Sequence, residues 1–371
     1  MPHFPQLDRR QLKLRPLSAR RDKVYIERDR VLPTDTPRAF DDAGERLLDE
    51  LTARLRAARE AGKPRMLAFG AHTIKNGLSP VLIQLMEQGW LTHLATNGAG
   101  IIHDWEFAYQ GHSSEDVKGN VAEGCFGLWE ETGFYLNLAL IVGAYRGLGY
   151  GASVGALVED EGLTLPEPVV LEKEIADCIA RKDFEHAAAA ADLLEAMFDA
   201  GLSPKTLATP HPYKQYGVQA AAYRLGIPLT GHPMIGHDII YEHPLNRGAA
   251  IGRTAQRDFL GFAQAVSQID GGVYMSIGSA VMSPMVFEKS MAMAQNLAIQ
   301  AGRRIQDHHI VVVDLQESHW DWTQGEPPED NPDYYLRYNK SFSRMGGAMR
   351  YLTADNRDFL LALAQRLDAT G

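Results

Sequence analysis

Apolar side chains recur along this chain with two different periods. Over 41–61, DDAGERLLDELTARLRAAREA places Leu47, Leu48, Leu51 and Leu55 at helical intervals, so one face is apolar and a helix is expected. Short apolar runs of strand length stand at 66–69, 92–96, 206–209, 227–230, 273–277 and 310–314. Helical patterns lie between them at 80–88, 132–145, 173–181 and, in the Ala-rich EHAAAAADLLEAMFDA, at 185–200. Buried strands alternating with helix-length segments predict an open α/β sheet, mostly parallel, with helices on both faces. The first 40 residues, rich in Arg, Pro and Asp, show no such period and read as an extended arm that wraps a neighbour or stays loose. Residues 41–371, with no convincing linker, then form a single domain. The run GLGYGASVG from Gly147 reads as a flexible loop, and GEPPEDNPD near residue 330 as a surface loop.

Composition narrows the function classes. A chain of 371 residues with 45% hydrophobic residues buries a large core. A formal charge of −10 speaks against a duplex nucleic-acid surface and suits a cationic small substrate. Cys125 and Cys178 offer neither a disulfide framework nor metal-ligand spacing and are expected as buried thiols in a reducing compartment. No apolar run approaches the ~20 residues of a membrane span, so a cytoplasmic protein is expected.

The chemistry is expected where apolar strands run into Gly-rich or polar turns, because ligands of open α/β sheets sit beyond the carboxyl ends of the strands. Five such ends stand out: FGAHTIKNG, LATNGAGIIHDWEFAYQG, LTGHPMIGHDIIYEHP, SIGSAVMSP and VVDLQESHWDW. In the second, Asn97, Gly98 and Gly100 precede His103, Asp104 and Glu106, a strand-to-helix turn suited to an anionic group. No GxGxxG opens a helix after the first strand. His232, His237, Asp238 and His243 raise a metal-dependent hydrolase as an alternative, but their spacing fits no helix face and no metal is assigned. His308 and His309 read as turn or surface residues, and Met282, Met285, Met291 and Met293 as core packing.

The order of FGAHTIKNGLSPVLIQLMEQG, THLATNGAGIIHDWEFA, GIPLTGHPMIGHDIIYEHP, YMSIGSAVMSP and a late ADNRD resembles the deoxyhypusine synthase family over roughly residues 64–368. The resemblance implies a Rossmann-like fold, NAD as cofactor and a homotetramer with active sites shared between paired subunits. It implies oxidation of a polyamine such as spermidine, passage of the aminobutyl group to an enzyme lysine as an imine, and transfer to an acceptor protein lysine. Its strand-end block falls on Thr96, Asn97, Gly98, Gly100 and Asp104 as cofactor contacts, with Ile102 and His103 where the family has an acidic pair. His103 then stands in as acceptor or base. Asp238 matches an amine anchor beside His237, Gly278 and Ser279 match a cofactor-facing glycine run, and Pro284 replaces the family's catalytic histidine. In PDYYLRYNK, Tyr338 and Lys340 match an aromatic wall and the imine-forming lysine, whose amine would be neutral through desolvation. Asp355 of ADNRD matches an acidic cofactor contact and is also placed to cap the last helix. The departures leave a second reading open, an NAD-binding paralogue without aminobutyl transfer that serves as a binding protein or a different oxidoreductase.

Overall fold

The computed structural model describes residues 4–369. Six strands form one parallel sheet: β1 (Arg65–Phe69), β2 (His93–Asn97), β3 (Leu229–His232), β4 (Val273–Ile277), β5 (His309–Asp314) and β6 (Ala348–Thr353). Their spatial order is β6-β5-β4-β1-β2-β3, with every neighbouring pair parallel. This is a doubly wound, Rossmann-like sheet: strands are added outward from β1 in one direction, and the chain then returns to β4 and adds outward in the other.

Strand composition explains why the sheet has two covered faces. All five residues of β1 and of β4 are buried. Leu67, Phe69, Leu94, Met275, Ile277, Val311 and Val313 join one core, with Leu48 and Leu51 of helix α1 (Asp42–Glu60). The intervening Met66, Ala68, Ala95, Tyr274, Ile310 and Val312 join a second core on the opposite face. A period of two in a strand thus becomes two cores, each side chain worth about 1.5–3 kcal/mol on full burial. Helix α1 begins where Asp41 accepts the Gly44 N–H at 2.8 Å and ends at Gly62, whose φ of 63° stops it.

Five further helices shape the carboxyl edge and the second core: α2 (Ala71–Lys75), α3 (Gly98–Gln110), α4 (Val218–Leu225), α5 (Gly248–Val266) and α6 (Met282–Gln300). Helices α7 (Arg337–Ser343) and α8 (Asn356–Asp368) close the chain. Phe262 of α5, Phe287 of α6 and Phe342 of α7 fill the second core, and Phe359 and Leu360 of α8 the first. No helix of the described residues is long and apolar enough to cross a membrane.

Several elements differ from the sequence reading, each for a local reason. Part of the arm packs on the chain's own body. Asp22–Tyr25 pairs antiparallel with His112–Glu115, while Leu17 and Ile26 are buried in the main core. Single anchoring residues rather than a periodic face hold it, so periodicity did not register it. The expected strand at 206–209 forms as Thr206–Ala208 but pairs antiparallel with Gly162–Thr164, outside the large sheet. The glycine run from Gly147 is no loop: Tyr150–Glu159 is a buried helix. A Cβ on Gly151 would lie 1.9 Å from the Leu229 carbonyl oxygen, so these glycines permit close helix-to-strand packing. His308 and His309 are buried at the start of β5, whereas Met285 and Met293 are exposed and only Met282 and Met291 join the core.

Candidate functional site

The sheet reverses its order between β1 and β4, and just beyond these two strands the backbones come close. A Cβ on Gly70, directly after β1, would lie 2.2 Å from the carbonyl oxygen of Gly278, directly after β4. Gly278 itself has φ 59°, a conformation that favours glycine. Helix α2 leaves this point over the carboxyl edge with a cavity on each side. One, of about 220 Å³, is lined by His72, Asn76, Gly278, Asp314, Asp355 and Asn356. The other, of about 360 Å³, is lined by Arg20, Lys75, His103, Glu106, His237 and Asp238 among others. Of the residues expected from sequence, Gly278 and Asp355 meet in the first cavity and His103, His237 and Asp238 in the second.

The Gly-rich turn before α3 does internal work. Asn97 caps α3, its side-chain oxygen accepting the Gly100 N–H at 2.9 Å. A Cβ on Gly98 would lie 2.1 Å from Asp238 Oδ2, and one on Gly100 would lie 2.2 Å from Thr96 Oγ1. Thr96 Oγ1 in turn donates to the Phe69 carbonyl at 2.9 Å, tying β2 to β1. The glycines therefore make room for the chain's own side chains. Asp104 is spent on the start of α4, where it accepts the N–H groups of Val218 and Gln219, each at 2.9 Å. Burial raises its carboxyl to about 6 against those bonds.

Beside it, α3 carries a charged network into the larger cavity. Arg20 of the arm makes two parallel bonds to Glu106, both 2.7 Å, and lies 2.7 Å from Asp22 through Nε. Burial would raise the Glu106 carboxyl, but Arg20 outweighs it and holds it below its ordinary value. Glu106 also accepts the Ser113 hydroxyl, and Ser113 Oγ lies 2.7 Å from His103 Nδ1. Because the serine hydrogen goes to the carboxylate, His103 must donate through Nδ1–H, which leaves Nε2 as a lone pair. Burial lowers the His103 imidazolium to about 4 although Glu106 pulls the other way, so the ring is neutral near pH 7.

Sequence reading passed over two further members of this cavity. Arg20 lies in the arm, with no periodic signal around it. Lys75 lies in the FGAHTIKNG strand end, where only its half-burial on α2 gives it significance. Burial lowers the Lys75 ammonium, helped by the charge of Lys23. Asp238 is raised to about 6, chiefly by burial and against the pull of His237.

The remaining expected residues lie outside both cavities. Tyr338, in the first turn of α7, is buried, its hydroxyl 3.3 Å from that of Tyr351. Lys340 Nζ pairs with Glu326 at 3.0 Å and stands 3.1 Å from the centre of the Tyr334 ring. Desolvation works to lower its pKa, but Tyr334 and Glu326 prevail and raise it. The sequence reading required a neutral amine here, and the structure provides a paired cation. Ser279 Oγ accepts the Ser283 N–H at 3.2 Å at the head of α6. His232 bonds Thr230 at 2.9 Å and His243 accepts the Leu245 N–H at 3.1 Å. Among the described residues no three His, Cys, Asp or Glu are grouped to hold a metal ion.

No protein-family model and no curated protein matches the chain. Among solved structures it is similar to unliganded AgrE, at 14% identity and a TM-score of 0.45 over 90% of this chain and 34% of that one. It is similar to ArgZ, an arginine dihydrolase from the ornithine-ammonia cycle in Cyanobacteria, at 15% identity and a TM-score of 0.42, covering 88% of this chain and 33% of that one. A conserved putative LOR/SDH protein from Methanococcus maripaludis S2 gives 12% identity and a TM-score of 0.44, covering 92% and 74%. AgrE has also been solved as a ternary complex with ornithine and NAD+. The chain spans about a third of the length of AgrE and of ArgZ. The deoxyhypusine synthase reading is therefore corrected. No family model matches, the similar structures include AgrE, ArgZ and a putative LOR/SDH protein, and Lys340 is held as a paired cation. With it falls aminobutyl transfer from a polyamine.

Proposed function

We propose that the chain is an NAD-dependent oxidoreductase that acts on a small polar molecule. The observation that carries this reading is the switch point, where the backbones of Gly70 and Gly278 close on each other between two cavities at the carboxyl edge. The residues present fit a dinucleotide. In the smaller cavity, Asp314 and Asp355 offer carboxylates to ribose hydroxyls, and a Cβ on Gly278 would find only Asn356 Nδ2, at 3.7 Å, so a ligand can approach the backbone. The larger cavity lies at the low end of the about 300–1,000 Å³ that small-molecule sites occupy and holds the reacting end.

Bound across this edge, NAD supplies a hydride acceptor. The chain's own part is proton handling and orientation. His103 Nε2 takes the proton of a substrate hydroxyl or amino group, while Ser113 and Glu106 fix the ring through Nδ1. Arg20 keeps Glu106 charged, so the orienting carboxylate does not become protonated in the cycle.

Thermal shift and calorimetric titration with NAD+ test the reading. A ligand that binds only the folded chain at about 100 times its Kd stabilises it by about 2.7 kcal/mol. Asp314→Ala should weaken NAD+ about tenfold, the loss of one or two polar contacts. His103→Gln should keep the cofactor and lose turnover. No shift at about millimolar NAD+, about a thousand times a typical micromolar Kd and so worth about 4 kcal/mol, overturns it.

A further inference from the structure

The larger cavity contains charges that the fold does not neutralise. Arg20 is matched by Glu106 and Asp22, and Lys23 by Asp116 at 3.1 Å. Glu115 is held by the Asn120 amide at 2.6 Å, and burial raises its carboxyl toward neutrality. Two groups are left over. Lys75, half-buried on α2, has no carboxylate in ion-pair reach among the described residues. Asp238, across the cavity at the start of a short 3-10 turn, has no lysine or arginine in ion-pair reach among the described residues; the neutral Tyr241 hydroxyl and the neighbouring His237 ring are its polar neighbours, and its Oδ2 is buried without a hydrogen bond. The two do not pair with each other. Desolvating a lone charge is costly, and one chain leaving an ammonium and a carboxylate unmatched in the same cavity makes that cavity complementary to a molecule carrying both charges.

We propose that the larger cavity binds a zwitterionic α-amino acid, with Lys75 holding its carboxylate and Asp238 its ammonium group. Ile102, Phe126 and Ile239 line the same cavity and give an aliphatic side chain apolar surface to cover. A pyrophosphate fits Lys75 but not Asp238, whose unmatched carboxylate would repel it. The depressed ammonium of Lys75 and the raised carboxyl of Asp238 agree, since each is the response of a charge awaiting its counter-charge. This inference rests on the oxidoreductase reading for the location of the reacting end. Titrating NAD+ alone separates the two, because cofactor binding needs neither probe nor Lys75.

The experiment uses the full chain saturated with NAD+. Calorimetry compares L-leucine with 3-methylbutylamine and 4-methylpentanoate, and L-lysine with cadaverine and 6-aminohexanoate. At least one amino acid should bind about tenfold or more tightly than both of its single-charge analogues, the effect of one charge-assisted hydrogen bond. Lys75→Met should erase the preference over the amine without weakening the amine, and Asp238→Asn the preference over the acid without weakening the acid. Equal affinity for an amino acid and its analogues overturns the proposal, as does failure of both amino acids to bind an NAD-loaded chain. A Lys75→Met variant that loses NAD+ itself overturns it too, and assigns Lys75 to the cofactor's phosphates.

Discussion

Replacing Arg20 by methionine removes the guanidinium that pairs with two buried carboxylates. The guanidinium reaches Glu106 through two bonds of 2.7 Å and Asp22 through a third contact of 2.7 Å, and all three side chains are at most 1% exposed. Methionine fills the stem's volume but leaves Glu106 with only the Ser113 hydroxyl and that of Thr132, at 3.1 Å. Breaking a buried pair from one side costs about 3–5 kcal/mol. The pH dependence supplies a sharper test. In the native chain Glu106 is held below its ordinary value of 4.5, so its contribution is present above that pH and lost as pH falls through the folded value. Without Arg20 the burial that now opposes the shift takes over, the folded carboxyl rises above the unfolded one, and stability falls as pH rises. Urea unfolding should therefore give a larger penalty at about pH 8 than at about pH 5. Adding Glu106→Gln to Arg20→Met should recover part of the loss, because the uncompensated charge is gone. A penalty under about 1 kcal/mol, or one equal at both pH values, refutes the buried-network account.

Three further outcomes follow from the geometry. Burial raises Asp258 to about 7 from 3.8, so the folded chain holds a proton that the unfolded chain gives up, and stability should fall by up to about 4 kcal/mol as pH rises through that window. Asp258→Asn should flatten that part of a stability-versus-pH curve. Gly98→Val puts a Cβ 2.1 Å from Asp238 Oδ2, so urea unfolding should report a loss of about 1–3 kcal/mol, and calorimetry should lose the amino-acid signal. Lys340→Ala should leave NAD+ affinity within about twofold by calorimetry, and the unsubstituted chain incubated with NAD+ and a polyamine, the oxidant being NAD+, and then treated with borohydride should carry no adduct on Lys340, because a paired ammonium is no nucleophile.

Much of the sheet was legible because its strands are buried on both faces and read as unbroken apolar runs: Met66–Phe69, Val273–Ile277 and Ile310–Asp314 all lie in observed strands. Strand β6 was not legible. AMRYLT is only half buried at the sheet edge, so polar residues interrupt its pattern. The turn at Asn97–Gly100 is located by its glycines, but their packing against Asp238 and Thr96 is not legible, since a sequence shows that a Cβ is missing but not which group needs the space. His103 and Asp238 were singled out because polar residues after strand ends are few. Arg20 and Lys75 owe their importance to what surrounds them, and basic residues in an Arg-rich arm or an exposed-looking turn carry no local mark of burial. Lys340 shows the opposite error: a spacing matched, but Glu326 and Tyr334, which decide its charge, were invisible at the level of spacing.

The central claim is that one dinucleotide crosses the switch point with its ends in the two cavities beside helix α2. A crystal structure of the chain soaked with NAD+ measures this directly. The account predicts adenosine density against Asp314, Asp355 and Asn356, with the nicotinamide ring entering the cavity of Lys75, His103 and Asp238. Cofactor density away from the Gly70–Gly278 contact, or adenosine in the His103 cavity, would contradict it.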